Sequence, residues 1–236
     1  MGFRDELNEL LAGEKANQIN PNITQAWKAK RLGKFTSSQI NKLMGKSKTG
    51  GDFTAGAESH IYKKVAETLT LECNEISSAA IKWGEEHEED AVRMYERLHN
   101  KKVTYYGKQN PVFFEYGEHC GGSPDGFIED EKAVIETKCP FESGNHAEVL
   151  HLVTTGKFDL KKYDGEYYGQ VQMNMYLMES NHAYFISYDP RVVDYKYSIA
   201  AARIERDNDY LDALIKKIDL AIALKVTLLT AIGYYN

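Results

Sequence analysis

The chain has 236 residues, 42% of them hydrophobic and 27% charged, a globular composition that excludes a wholly disordered protein. Its formal charge of −6, from 29 Lys+Arg against 35 Asp+Glu, gives no overall attraction to nucleic acid, so a polyanion would have to be met by local placement of charge. No run reaches the roughly 18 apolar residues of a membrane helix. The three cysteines, Cys73, Cys120 and Cys139, offer neither a disulfide framework nor a CxxC site. The acidic N-terminus has no apolar signal core, so a reduced, cytoplasmic protein without membrane contact is expected.

Residues 1–26 form an N-terminal extension to which no role attaches. Residues 26–51 carry Lys28, Lys30, Arg31, Lys34, Lys42, Lys46 and Lys48 with no carboxylate. Thr36-Ser37-Ser38 ahead of Ile40, Leu43 and Met44 predicts a helix start with hydroxyl caps. Residues 45–56, rich in Gly, Lys and Thr, read as a mobile basic loop. Helices are predicted over 59–71, with Ile61, Val65 and Leu69 inward, and over 77–98, with Ile81, Val92, Tyr95 and Leu98 inward. The second holds the acidic cluster Glu85, Glu86, Glu88, Glu89 and Asp90, whose members other than Glu88 are expected to face solvent. The period then shortens: β-rich runs at 103–106, 111–114, 126–128 and 133–138 are separated by turn clusters at 121–126 and 129–132. A helix over 167–179, strands over 183–188 and 195–204, and a closing helix from Asp207 to about Leu229 complete a single α/β domain spanning 1–236, without repeats or linkers.

The strongest local signal is Ser123-Pro124-Asp125-Gly126 followed by Ile135-Glu136-Thr137-Lys138. In a strand, Glu136 and Lys138 share one face while Ile135 and Thr137 share the other. A hairpin turn at 129–132 would bring Asp125 beside them. Two carboxylates suit magnesium, which prefers oxygen ligands, and an adjacent lysine can orient a water and stabilise charge on a phosphate oxygen. The same triplet also arises in ordinary surface hairpins. Competing motifs fail on specifics. The twelve residues from Asp125 to Glu136 have Phe127 and Asp130 where a calcium loop needs an oxygen ligand and a glycine. Gly45-Lys46-Ser47 lacks the preceding glycine of a phosphate-binding loop, Ile40 standing in its place. The seven histidines form no HxxxH or HxH pair and are expected at the surface.

The chain resembles the phage lambda-type exonucleases, the viral recombinase branch of the PD-(D/E)XK nuclease superfamily. The resemblance runs in order through Ala26-Trp27, Arg31-Leu32-Gly33, Thr36-Ser37-Ser38, Ala80-Ile81-Lys82-Trp83-Gly84 with Glu88 and Asp90-Ala91, Ser123-Pro124-Asp125-Gly126, Glu136 to Phe141, Gly169-Gln170-Val171-Gln172 and Tyr188-Asp189-Pro190-Arg191. It implies an α/β fold with a central mixed β-sheet flanked by α-helices, and a hydrolase that degrades one strand of linear double-stranded DNA 5′→3′ from a phosphorylated end, for phage recombination by single-strand annealing. It further implies two Mg2+ ions per site, with Mn2+ able to substitute. Asp125 and Glu136 would be the central ligands, joined by the Thr137 carbonyl and by Glu88, with Lys138 as the catalytic lysine. Arg31, Ser38, Ser123 and Gln170 would form a 5′-phosphate pocket, and Ile81 a wedge that parts the terminal base pairs. A homotrimeric ring around the duplex and a single-strand annealing protein as partner follow from the same likeness.

Other roles are open for several of these residues. Arg31 could cap a helix, Ser38 could be a local N-cap, Gln170 could brace the metal-site strand and Ile81 could be core; Trp27 and Trp83 read as packing residues. Two departures stand out: the Asp-to-Glu interval is one residue longer than in the lambda enzyme, and Gly144 replaces an arginine near the scissile phosphate, for which lysines or His146 are expected to substitute. An endonuclease of the same fold and a catalytically inactive DNA-binding module are the alternative readings.

Overall fold

The computed structural model describes residues 21–48, 50–73, 78–107 and 110–235. Residues 1–20 of the N-terminal extension and the expected helix start at Ser77 lie outside the described residues. The centre is a five-stranded sheet of β2 (Thr104–Tyr105), β5 (Gly126–Ile128), β6 (Ala133–Lys138), β7 (His182–Tyr188) and β8 (Ile199–Glu205), in that order across the sheet. The predicted hairpin is present: Gly126 stands opposite Ile135 and Ile128 opposite Ala133. It turns where the Lys132 N–H bonds the Glu129 carbonyl at 3.2 Å, with Lys132 in the left-handed region at φ 50°. β6 runs parallel to β7 throughout, Glu136 opposite Phe185 and Lys138 opposite Ser187, while the other pairs in this sheet are antiparallel.

Strand alternation divides this sheet into two faces. Ile135, Ile186 and Tyr188 pack against Ala91, Val92, Met94 and Tyr95 of α3 (Ala79–His99). Val134 and Phe185 pack against Val149 of α4 (Ser143–Thr154) and Val171 and Met175 of α6 (Gly165–Leu177), with the short α5 (Leu160–Tyr163) between them. Fully burying one such side chain contributes about 1.5–3 kcal/mol. A second sheet, in the order β1 (Phe35–Thr36), β4 (Cys120–Gly122), β3 (Phe114–Tyr116), joins a 3₁₀ helix at Ser37–Leu43, α2 (Ala55–Thr70) and α7 (Asn208–Ala231) around Phe35, Ile40, Leu43, Ile61 and Leu214. Helix α1 (Pro21–Arg31) leads into β1. Among the described residues no helix is long and apolar enough to cross a membrane.

Several expectations change. Ser37–Leu43 is a 3₁₀ helix whose N-cap, Thr36, makes no side-chain capping bond. Gly121 and Gly122, read as a turn, lie in β4, and α4 and α5 had no sequence signal strong enough to be expected. Leu69, Ile81 and Leu98 are exposed where helical spacing placed them inward. For Ile81 the reason is local: the buried residues of α3 run from Asp90 to Tyr95, while Ile81, in its first turn, lines a cleft. His60, His146 and His182 are buried, against the expectation of surface histidines, and Asp90 is buried rather than solvent-facing.

Candidate active site

The residues expected to be catalytic gather where β6 ends. Asp125, just ahead of β5, is tied to β6 by three bonds. Its N–H donates to the Ile135 carbonyl at 3.1 Å, and its Oδ2 accepts from the Thr137 N–H at 2.6 Å and the Thr137 hydroxyl at 2.8 Å. Glu136 and Lys138 point to the other face, toward α6. Glu136 is wholly buried; its Oε1 accepts from Lys138 Nζ at 2.6 Å and its Oε2 from Asn174 Nδ2 at 3.0 Å. Lys138 also lies 4.8 Å from the centre of the Tyr167 ring and donates to Gln170 Oε1 at 3.4 Å. From α3, Glu88 completes the group, its Oε1 accepting from the Tyr105 hydroxyl at 3.0 Å.

The carboxylates here are crowded and buried, and each one's charge is disfavoured. Burial, then the nearby Asp125, lifts the pKa of Glu88 well above the ordinary carboxylate range. Burial likewise raises Asp125, and burial followed by Asp125 pushes Glu136 up to about 7. Burial opposes the Lys138 ammonium, but Glu136 and Asp125 outweigh it and hold its pKa above the usual lysine value. One ammonium against three crowded carboxylates leaves negative charge that a divalent cation would relieve. Among the described residues no three His, Cys, Asp or Glu side chains already converge as a formed metal centre. The donor set nonetheless fits magnesium, since it is all oxygen and carboxylate in character.

A cleft of about 350 Å³ reaches Glu88 and Lys138, walled by Ile81, Glu85 and Glu88 on α3, by Thr137 and Lys138, and by Asn145 and Tyr167, while Asp125 and Glu136 do not line it. Ile81 stands at 45% exposure on this wall, so it is not core. Cys139 also lines the cleft, but burial, then Glu88 and Asp125, pushes its pKa up and keeps it a thiol. A larger hollow of about 440 Å³ around Tyr116, Tyr176 and Arg206 contains none of the expected site residues.

The expected phosphate residues fall into two groups. Arg31 stacks on Trp27, its guanidinium carbon 4.1 Å from the ring centre, and the Trp27 indole N–H donates to Ser123 Oγ at 3.0 Å. Trp27, bonded to a residue 96 positions away, thus links Arg31 to Ser123, more than the packing role read from sequence. Ser38 is exposed, its Oγ 3.3 Å from Thr36 Oγ1. Gln170 sits against Lys138 instead, on the catalytic side. Gly144 lies in the first turn of α4 with open space around it. His146 cannot replace the missing arginine: it is 1% exposed, its Nδ1 lies 2.9 Å from Ser187 Oγ and its Nε2 2.8 Å from the Tyr197 carbonyl. Arg191 grips Asp189 through Nε at 2.8 Å and donates to the carbonyls of Pro140 and Phe141, with its guanidinium over Trp83, so this block braces the loop after β6.

Sequence reasoning missed Tyr105, the donor to Glu88, and Asn174, the donor to Glu136. Asn174 lies four residues after Gln170 on the same helix face, a spacing that could have found it.

Residues 26–181 match the family model described as the YqaJ-like viral recombinase domain. Comparison with curated proteins returns no match. Among solved structures, the alkaline exonuclease LHK-Exo of Laribacter hongkongensis is similar at a TM-score of 0.72 and 26% identity, covering 89% of this chain and 96% of that one. The same enzyme in complex with dAMP matches at 28% identity, a TM-score of 0.72 and the same coverage. A phage-related exonuclease from Haemophilus somnus 129PT shares the fold at a TM-score of 0.71 and 19% identity, over 85% of this chain and 96% of that one.

Proposed function

Because the chain belongs to the family of YqaJ-like viral recombinase domains, we propose that it is a metal-dependent exonuclease that degrades one strand of linear duplex DNA 5′→3′ from a phosphorylated end, in phage-type recombination by single-strand annealing. The observation that carries this reading is the joining of Asp125, Glu136 and Lys138 at the end of β6, with Glu88 facing them from α3. The likeness to an alkaline exonuclease along nearly the whole of that enzyme's chain supports it.

Asp125, Glu136 and the Thr137 carbonyl, with Glu88, would hold two magnesium ions, which when bound supply Lewis-acid stabilisation of the attacking and leaving oxygens. Manganese, with the same oxygen preference, could substitute. Lys138 is already charged at neutral pH, so it does not take a proton from water; it orients the water by donating to it and stabilises negative charge growing on the scissile phosphate. Water adds to phosphorus and loses a proton to solvent, the bond to the 3′ oxygen breaks and that oxygen takes up a proton from solvent, and the released mononucleotide leaves a new 5′ phosphate on the strand. Arg31, held flat by Trp27, offers its fork of N–H donors to the terminal phosphate, and Ser123 and Ser38 add neutral bonds. Gln170 braces Lys138, and Ile81 at the cleft wall is placed to part the terminal pair. A homotrimeric ring and an annealing-protein partner belong to the same proposal.

The test is a linear duplex labelled at one 5′ end, with and without 5′ phosphate, in magnesium or chelator, beside a closed circle. Mononucleotide release from the phosphorylated end is expected, with none in chelator and none from the circle; Arg31→Ala should erase the preference for phosphate. Cutting of the circle would indicate an endonuclease instead, and binding without cleavage an inactive module.

A further inference from the structure

We propose that Asn174 is a positioning residue that holds the Glu136 carboxylate ready for magnesium, a role that rests on the metal reading given above. Asn174 is wholly buried on α6, and its Nδ2 donates to Glu136 Oε2 at 3.0 Å. Lys138 occupies the other oxygen, Oε1, at 2.6 Å. The carboxylate is therefore gripped at both ends, by a cation on one side and a neutral donor on the other, and cannot swing about its last torsion without losing a bond.

The grip follows from matched spacings. Four residues of helix advance about 6 Å and two residues of strand about 6.6 Å. Gln170 and Asn174, four apart on one face of α6, therefore lie over Lys138 and Glu136, two apart on one face of β6, and the bonds at 3.4 and 3.0 Å join them in that register.

The second half of the amide argues that the residue is kept for the site. Asn174 Oδ1 is buried with no hydrogen-bond partner. It points at β4, where a Cβ added to Gly122 would lie 2.5 Å from it and 2.8 Å from Ser37 Oγ. The amide is thus wedged between β4 and β6. Turning it over would set its oxygen against the Glu136 carboxylate, so the orientation is fixed by charge as well as by space. A buried acceptor left unpaired costs about 1–3 kcal/mol. An apolar side chain of similar size would avoid that cost, and what it would lose is the donor to Glu136.

The test compares wild type with Asn174→Leu and Asn174→Ala by two readings. The first is the rise of Tm with added magnesium, which reports binding without catalysis. The second is the magnesium concentration that half-saturates cleavage. Loss of a donor to a ligating carboxylate is expected to raise that concentration about tenfold or more, and to shift the magnesium dependence of Tm by the same factor. High magnesium should recover most of the lost rate, and the metal-free Tm of Asn174→Leu should stay within about 3 °C of wild type. A variant with lower metal-free Tm but unchanged magnesium dependence would make Asn174 a structural residue and overturn the proposal, as would failure of both variants to fold. If wild type itself shows no magnesium effect in either reading, the metal site falls first and the proposal with it.

Discussion

Lys138 and His60 show how burial, which disfavours the proton on both bases, is overcome at one and prevails at the other. Lys138 keeps its proton because Glu136 and Asp125 outweigh desolvation. His60, 6% exposed in α2 and packed 5.8 Å from the Phe35 ring centre, loses its proton readily. Burial, followed by Lys64 and Lys42, lowers its pKa from 6.5 to about 4, with Glu67 opposing and Lys63 adding to the fall. The folded state therefore binds fewer protons than the unfolded state between those values. The stability this histidine contributes is complete above pH 6.5 and is lost as the pH falls toward 4, at about 1.4 kcal/mol per pH unit within the window. His60→Leu should flatten that part of the stability curve, measured by denaturant melts of both proteins from pH 7 to 4; parallel curves would remove His60 as the cause. At the same scale, the sequence made much of the site legible. Glu136 and Lys138 share a face through strand alternation alone, and the hairpin that brings Asp125 to them is written in its turn residues. Asn174 was signalled only by its spacing from Gln170, and Tyr105 not at all, because its partner Glu88 lies on α3 and the meeting of β2 with α3 is set by the fold. His146 misled because one ring reads alike whether it meets solvent or a buried carbonyl.

Helix α2 is fastened to the segment that follows Arg31 by buried charge. The Lys64 ammonium bonds both oxygens of Glu67, at 3.1 and 2.9 Å, and Glu67 Oε2 accepts from the Gly33 N–H at 3.3 Å. From α7, Lys225 donates to the Gly33 carbonyl at 2.7 Å. Gly33 itself sits at φ +70°, where a Cβ would run into the Thr68 hydroxyl, so glycine is needed there. Both backbone groups of the residue two after Arg31 are thereby held. Glu67→Gln strips the charge partner from a buried lysine and should cost about 3–5 kcal/mol in chemical denaturation. Lys64→Met combined with Glu67→Leu should recover most of that loss; an equal loss in the double variant would show that the bonds to Gly33, rather than the unpaired charge, dominate. Elements with a clear period, such as α3, β6 and α7, were readable from sequence. β4 was not, since Gly121 and Gly122 carry no strand signal. They are glycines because other groups press on them: a Cβ on Gly121 would lie 2.6 Å from the Phe113 ring, and one on Gly122 would meet Asn174. The exposure of Ile81 was equally invisible, because helical spacing predicts a shared face but not where along the helix that face is covered.

Across the whole molecule, a carboxylate-rich cleft and a lysine-rich segment share one chain of net negative charge. Lys28, Lys30, Lys42, Lys46 and Lys48 are exposed, while Lys34 is taken up by an ion pair with Glu115. Phosphate contacts from such a segment position a duplex without reading its sequence, which suits an enzyme that must travel along DNA. In the proposed mechanism cleavage is carried by Asp125, Glu136 and Lys138, with duplex binding carried elsewhere. The most direct test is Lys138→Ala, followed in parallel by single-turnover release of the 5′-terminal nucleotide and by duplex affinity at fixed salt. Cleavage should fall by about 100-fold or more while affinity changes by no more than a few fold, the pattern for a group that acts on the transition state. A variant that cleaves at the wild-type rate would contradict the account.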